Sequence, residues 1–305
     1  MLAPQFCPLC KTESNDHTVV TRDVFGDEEK KHIFCKCSSC DVNYMFPRLS
    51  KEQEAHFYNK EFEKFMSSRS GESGGWLKVE EHIAANEETK KRRMKYLSKF
   101  VQERKSILEY GCSSGFMLNP MIQLGHDCTG IEPSGIFRAY LNEKSIKTYD
   151  SHDEMMKENK TKKFDLIMHF FVLEHISEPL SFLKDQMELL NKNGQIVFEI
   201  PNAADPLHTI YNIPEFEKFY WSIAHPWYFT EKSLSYLLNK MGCKYEIIRD
   251  QRYDLSNHMV WARDKKPGGM GRFSDKLGSD LDNKYRQSLI DTGHCDTLVA
   301  VLTKE

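Results

Sequence analysis

The sequence predicts an α/β protein built on a doubly wound, mostly parallel sheet of seven strands, preceded by a small N-terminal unit organised around cysteines. Three observations lead there. Apolar strand candidates alternate with helical stretches from Lys105 onward. Five of the nine cysteines, Cys7, Cys10, Cys35, Cys37 and Cys40, fall within the first 40 residues. The length of 305 residues suits one large domain plus an accessory one, at roughly 150 residues per domain. With 40% hydrophobic and 29% charged residues and a mean hydropathy of −0.59, the composition is globular rather than disordered or membrane-embedded. Forty-two basic against 45 acidic residues give a net charge of −3, which removes the overall attraction of a dedicated nucleic-acid binder. No run approaches the about 18 apolar residues that span a bilayer. The start MLAPQFCPLC lacks the charged-then-apolar build of a signal peptide, so a cytoplasmic location is expected.

Cys7-Pro-Leu-Cys10 and Cys37-Ser-Ser-Cys40 are two C-x-x-C knuckles, a spacing that lets both thiolates of a tight turn converge on one ion. Four sulfur ligands favour a closed, tetrahedral, structural Zn²⁺ site. Cys35 is a spare that either replaces Cys37 in the set or sits as a free thiol. HTVVTRDV and KHIFCKC read as short strands between the knuckles, so residues 1–48 are expected to form a zinc ribbon whose core is too small to stand without metal. Residues 49–104 are polar and helix-prone and read as a helical connector, with a flexible break expected at the SGESGG stretch of 70–75. The run KKRRMK at 90–95 reads as the solvated face of a helix, with a phosphate-binding patch as the alternative.

From 105 to 305 the strand candidates are SILEYG, DCTGIEP, IKTYD, FDLIMHF, GQIVFEIP, YEIIRD and TLVAVLT, and the segments between the first five suit crossover helices. In such a sheet a ligand sits beyond the carboxyl ends of the strands, next to the first one. That strand ends in Glu109-Tyr-Gly111-Cys112-Ser113-Ser-Gly115-Phe116 and runs into a helix-like segment. Its two glycines allow close approach of the backbone, and a helix start offers free N–H groups. Glu132-Pro133 closes the second strand, where a carboxylate can accept both hydroxyls of a ribose. A nucleoside site follows. The G-x-x-x-G spacing argues against a dinucleotide, which calls for G-x-G-x-x-G.

The glycine turn, the acidic end of strand two and FDLIMHFFVLEHISEP at strand four resemble the class I S-adenosylmethionine-dependent methyltransferases over roughly two thirds of the chain. One departure is Ser113, where the family commonly has a glycine. The resemblance implies that Gly111 to Gly115 underlie the methionine part of the cofactor, Glu132 holds its ribose, Asp150, Ser151 and His152 lie near the adenine, and His169 and Phe170 line the sulfonium, whose charge an aromatic face favours.

Methyl transfer needs an aligned acceptor and, for a hydroxyl, a base with pKa near neutrality. The candidates are His225, first for its place beyond the fifth strand among aromatics, then His175 and His258. Asn257 and His258 lie in an insertion of about 250–290 expected to wall the acceptor pocket. The ribbon, together with YMFPRLSKEQEAHFYNKEF, HPWYFTEKSLSYLLNKMGC and SNHMVWARDKKPGG, resembles the bacterial zinc-ribbon methyltransferases associated with surface glycan assembly. That likeness implies a sugar or nucleotide-linked sugar acceptor, O-methylated most commonly, with N- and C-methylation as variants. Two rivals remain. An RNA-base methyltransferase would want a basic zinc module, whereas residues 1–60 hold eight Lys or Arg against nine Asp or Glu. A non-catalytic zinc-dependent scaffold would predict a degraded cofactor turn.

Overall fold

A computed structural model describes residues 4–13, 17–70, 78–159 and 161–305. The expected break at 70–75 lies, but for Ser70, outside the described residues. All seven expected strands form. They are β4 (Ser106–Tyr110), β5 (Asp127–Ile131), β6 (Thr148–Tyr149), β7 (Phe164–Phe170), β8 (Leu190–Pro201), β10 (Lys244–Asp250) and β11 (Thr297–Thr303), numbered after the N-terminal β1 (His17–Thr21), β2 (Ile33–Cys37) and β3 (Asn43–Phe46), with β9 (Trp227–Tyr228) between β8 and β10. The large sheet has the order β10-β11-β8-β7-β4-β5-β6. Neighbours from β8 to β6 pair in parallel, and β11 is antiparallel to both β8 and β10. The order reverses beside β4, and that reversal opens the crevice where such sheets take ligands.

Alternation along the strands splits the core into two layers. Ile107, Leu166, Val197 and Val299 face one way, with Leu97, Leu118 and Leu141 from the helices Glu87–Leu97, Leu118–Gln123 and Gly135–Glu143. Leu108, Ile167, Phe198 and Ala300 face the other, with Met155, Leu183 and Leu237 from the helices His152–Glu158, Pro179–Leu189 and Glu231–Asn239. Helices on both faces are what continuous apolar strands require. Between β10 and β11 the chain folds as the helices Leu255–Asp264, Ser274–Leu277 and Ser279–Thr292.

The N-terminal strands form a second sheet, β1-β2-β3-β9, whose last strand comes from the HPWYF segment of the large domain. Asn43 pairs with Tyr228 and Tyr44 with Trp227. Cys7, Cys37, Cys40 and Tyr44 belong to the same buried cluster as Leu108 and Phe198. Trp227, 2% exposed, lies under the Arg48 guanidinium at 4.0 Å and donates its indole N–H to the Ile176 carbonyl at 3.0 Å.

The run at 90–95 corrects its reading as a solvated face. Arg93 is 4% exposed, and its Nε and terminal amine both lie 2.9 Å from Glu199 Oε2. Arg92 bridges Glu199 at 2.8 Å and also pairs with Asp250, and Tyr96 donates to the same glutamate. The helix turns these two arginines inward because an unpaired Glu199, fully buried on β8, would be far costlier than three ordered side chains.

Candidate active site

At the end of β4 the backbone enters the left-handed region three times, at Gly111 (φ 66°), Ser113 (φ 44°) and Gly115 (φ 71°). A Cβ at Gly111 would lie 2.8 Å from Val172 Cγ2, and one at Gly115 2.5 Å from Leu141 Cδ2, so both positions need glycine for conformation and for space. Gly130 on β5 lies so close beneath the turn that a Cβ there would meet the Cys112 sulfur at 2.5 Å. Ser113 adopts the conformation without being glycine, at a cost of about 1–2 kcal/mol for an L-residue. Glu132 offsets it: one carboxylate oxygen accepts the Ser113 N–H at 2.7 Å and the other the Ser134 N–H at 2.8 Å. The carboxylate expected to hold a ribose therefore also fixes the turn, and each oxygen keeps a further lone pair.

Glu109 is 2% exposed, and its Oε2 meets no donor among the described residues. Burial drives its carboxyl well above the ordinary range, with Arg93 opposing. An orphaned buried carboxylate oxygen beside a backbone turn of this kind suits a cationic group of a ligand. These features fit S-adenosylmethionine, which offers an ammonium, a sulfonium and a ribose diol. Phe116 borders a cavity of about 390 Å³ on the outer side of the turn, with Asn86, Ser114 and Tyr140. Pro133 is exposed, and its carbonyl takes a hydrogen bond from Arg138.

At the end of β6, Asp150 is exposed and Ser151 caps the helix His152–Glu158 through the Glu154 N–H. His152 lies parallel to Tyr110 with its Nδ1 2.7 Å from the Tyr110 hydroxyl. Two expectations need correction. The His169 ring does not line the sulfonium end: it is 0% exposed, stacked 4.7 Å from Phe198 and in edge contact with Phe182, on the layer facing away from the Phe170 side. The face of Phe170 already carries a cation, because the Arg93 guanidinium lies 4.0 Å from its centre.

His175 and His225 come together, their rings 4.5 Å apart and perpendicular. His175 Nδ1 meets the Ala224 carbonyl at 2.8 Å, and His225 Nδ1 meets the Tyr228 hydroxyl at 3.0 Å. Burial lowers both imidazoles, His175 to about 4 and His225 well below its ordinary value, with Arg69 adding to the effect. Glu174, in the turn after β7, is 1% exposed, neither oxygen meets a donor from another residue among the described residues, and burial pushes its carboxyl up to about 8. The structure does not bring Asn257 and His258 to this pair by any hydrogen bond or ring contact among the described residues. Asn257 donates to the Gly268 carbonyl and His258 pairs with the Tyr285 hydroxyl, which ties the insertion to itself rather than lining the histidines.

Several residues of this end escaped the sequence reading. The helical run Lys51–Ser70, with a π-helical turn at Phe57–Glu61, crosses the histidines. Tyr58 approaches His175 Nδ1 at 3.1 Å, Phe62 meets the same ring edge-on, and Arg69 lies 4.4 Å over Phe219. Arg252 lies 4.5 Å over Phe171. Phe57, Tyr58, Phe62 and Phe65 recur at helical spacing in an otherwise polar segment, and that stripe is the signal that this stretch is more than a spacer.

At the N-terminus the Cys7 and Cys40 sulfurs are 3.7 Å apart, those of Cys10 and Cys37 3.5 Å, and all four lie within 4.8 Å of one another. A tetrahedral zinc with bonds of about 2.3 Å requires sulfurs about 3.8 Å apart, so the four thiols fit that ion. Cys35, buried on β2 opposite Tyr44, stays outside the set.

A parallel sheet whose order reverses beside β4, with one reversed strand between β8 and β10 and a glycine turn facing two buried carboxylates, is the architecture of class I methyltransferases. The methyltransferase-domain family matches residues 81–246, more than half of the chain, and the chain belongs to that family. Among curated relatives, the ubiquinone biosynthesis O-methyltransferase of Pelagibacter ubique strain HTCC1062 is 34% identical over 94 residues, 29% of this chain and 38% of that one. Its namesake from Actinobacillus pleuropneumoniae serotype 7 is 30% identical over 109 residues, 32% and 46% of the two chains. The chain thus spans under half the length of the curated relatives it matches. Among solved structures, a SAM-dependent methyltransferase from Archaeoglobus fulgidus aligns with a TM-score of 0.48 at 16% identity, covering 71% of this chain and 94% of that one. The plantazolicin methyltransferase BamL, solved with SAH, aligns at 0.49 and 17%, covering 83% and 97%. Among the described residues no helix is long and apolar enough to cross a membrane.

Proposed function

We propose that this protein transfers the methyl group of S-adenosylmethionine to an oxygen of a small acceptor, a sugar or nucleotide-linked sugar. The cofactor supplies an electrophilic methyl on a positively charged sulfur. Gly111 to Gly115 pass beneath its methionine part, Glu132 holds its ribose, and Glu109 receives its cationic end. The observation that carries the reading is the Glu109 oxygen left without a donor beside a turn built from left-handed residues. The acceptor meets Glu174, His175 and His225, the groups available to take up or direct the hydroxyl proton.

Arg69 and Arg252 favour the nucleotide-linked form. The positive charges of both act on the Glu174 carboxyl, and neither is in a salt bridge among the described residues, so an anionic acceptor group would pair with them. The likeness to zinc-ribbon methyltransferases of glycan assembly supplies the sugar itself, and the cysteine set would hold a structural zinc, as suits a reducing cytoplasm. A second reading, an aromatic hydroxyl as in the named relatives, is favoured by the rings of Tyr58 and Phe62 beside His175. Incubation with isotopically labelled cofactor decides between them: label in nucleotide sugars supports the first, and label only in a catechol overturns it. Failure to bind S-adenosylhomocysteine by calorimetry would overturn both and favour a scaffold.

A further inference from the structure

Two imidazoles and a carboxylate converge at the acceptor end, with ligand atoms of Glu174, His175 and His225 all within 4.8 Å of one another. The hydrogen-bond pattern settles which nitrogen of each ring carries the proton. His175 Nδ1 lies against the Ala224 carbonyl, which only accepts, so this nitrogen carries the proton. The Tyr228 hydroxyl donates its one proton to the Tyr220 carbonyl and accepts the Ser222 N–H, so toward His225 Nδ1 it can only accept again. Both histidines are therefore Nδ1–H tautomers, and among the described residues no hydrogen bond engages either Nε2 lone pair. A backbone carbonyl or a hydroxyl that takes the far N–H of each imidazole is the arrangement that orients metal-bound histidines. Beside them is a buried carboxylate that meets no donor from another residue among the described residues, an expensive state that a cation relieves.

We propose that Glu174, His175 and His225 bind one divalent first-row transition-metal ion, separate from the four-cysteine cluster, and that this ion holds the acceptor oxygen. Two nitrogens and one oxygen on one side of an ion leave positions open, unlike the closed four-sulfur set. Imidazole ligands favour zinc, iron, cobalt, nickel or copper over magnesium, calcium and manganese. Bonds of about 2.0–2.2 Å place ligand atoms about 3–3.5 Å apart, a spacing that three groups already within 4.8 Å of one another reach by small side-chain adjustments. This inference rests on the methyl-transfer reading above. The acceptor O–H bond breaks with its proton leaving to water, the oxygen then forms a bond to the methyl carbon, and the carbon–sulfur bond breaks with its electron pair remaining on sulfur. With the ion present, Arg69 and Arg252 make the pocket cationic, so the acceptor brings an anionic group.

The test is cobalt titration of the full chain with zinc already in the cysteine cluster, followed by absorption spectroscopy and metal analysis, with S-adenosylhomocysteine affinity measured on the same sample. The expected result is one further equivalent with the weak visible bands of a nitrogen and oxygen site and no thiolate charge-transfer band. Glu174→Gln with His225→Asn should weaken that equivalent about 100-fold or more while the zinc equivalent stays. No second equivalent in the wild-type chain, or one that the double variant leaves unchanged, overturns the proposal, and the wild-type titration decides even where the variant fails to fold. If the cobalt equivalent is missing while S-adenosylhomocysteine binds, the metal proposal fails and the methyl-transfer reading stands. If cobalt binds and S-adenosylhomocysteine does not, the methyl-transfer reading fails.

Discussion

Replacing Gly115 by alanine tests the turn where conformation and space coincide. The residue sits at φ 71°, and a new Cβ would lie 2.5 Å from Leu141 Cδ2 on the helix behind it. A left-handed L-residue costs about 1–2 kcal/mol, and overpacking a filled site adds about 1–3 kcal/mol. The lower entropy of the unfolded alanine chain returns about 0.4–1 kcal/mol. The net of about 2–4 kcal/mol divides between two observables. If the turn holds its shape, thermal unfolding moves down by about 2–4 °C per kcal/mol. If the turn yields instead, the strain appears as lost cofactor affinity, about 30- to 700-fold at 1.4 kcal/mol per decade. Calorimetry with S-adenosylhomocysteine and a thermal scan on one preparation measure both. A Gly115→Ala protein with wild-type affinity and wild-type melting temperature would refute the assignment of this turn.

Ser113→Gly should act in the opposite sense. It removes about 1–2 kcal/mol of left-handed strain and adds about 0.5–1 kcal/mol of backbone entropy, a small net stabilisation readable by urea unfolding. Trp227→Ala, at a fully packed position under Arg48, should cost about 3–5 kcal/mol in the same assay, whereas a change under 1 kcal/mol would mean the two sheets are not joined there. Burial alone would raise the Glu199 carboxyl, but Arg93 and Arg92, with the Tyr96 hydroxyl, hold it below the ordinary range. Its folded pKa lies below the unfolded one, so its contribution is complete above about pH 4.3 and is lost as pH falls through the lower folded value. Glu199→Gln should therefore lower stability at pH 7 by about 3–5 kcal/mol and flatten the acid limb of the stability curve. An unchanged acid limb would remove the network from the account.

The strands were legible because each is an apolar run bounded by turn residues, and the glycine turn because few other residue types fit its backbone. The Glu109 and Glu132 positions followed from the strand ends. What stayed hidden depends on long-range partners that no local pattern encodes. Arg92 and Arg93 look like their neighbours Lys90 and Lys91 until Glu199, about a hundred residues away, supplies a buried counter-charge. Strand β9 is two residues long and exists only because β3 offers a free edge. His169 misled for a related reason: the family resemblance placed it on the ligand, but strand alternation turns it onto Phe198, opposite to Phe170. Tyr58 and Arg69 belong to a segment whose charge masks its aromatic stripe.

The placement of β9 gives the cysteine unit a consequence for catalysis. Knuckle Cys37 to Cys40 leads directly into β3, and β3 grips the stretch that follows His225: the Met45 N–H donates to the Pro226 carbonyl at 3.0 Å, Tyr44 pairs with Trp227 and Asn43 with Tyr228. Tyr228 in turn holds His225 Nδ1. The glycine turn instead donates its N–H groups to the Ile131 carbonyl and the Glu132 carboxylate. Loosening the knuckle should therefore displace the acceptor end while sparing the cofactor end. Cys40→Ser is expected to release the zinc equivalent and lower kcat by about 100-fold, the effect of a displacement near 1 Å, with S-adenosylhomocysteine affinity within about twofold of wild type. If affinity and turnover fall together, the cysteine unit supports the whole fold and has no selective hold on His225; if neither falls, β3 does not position it at all.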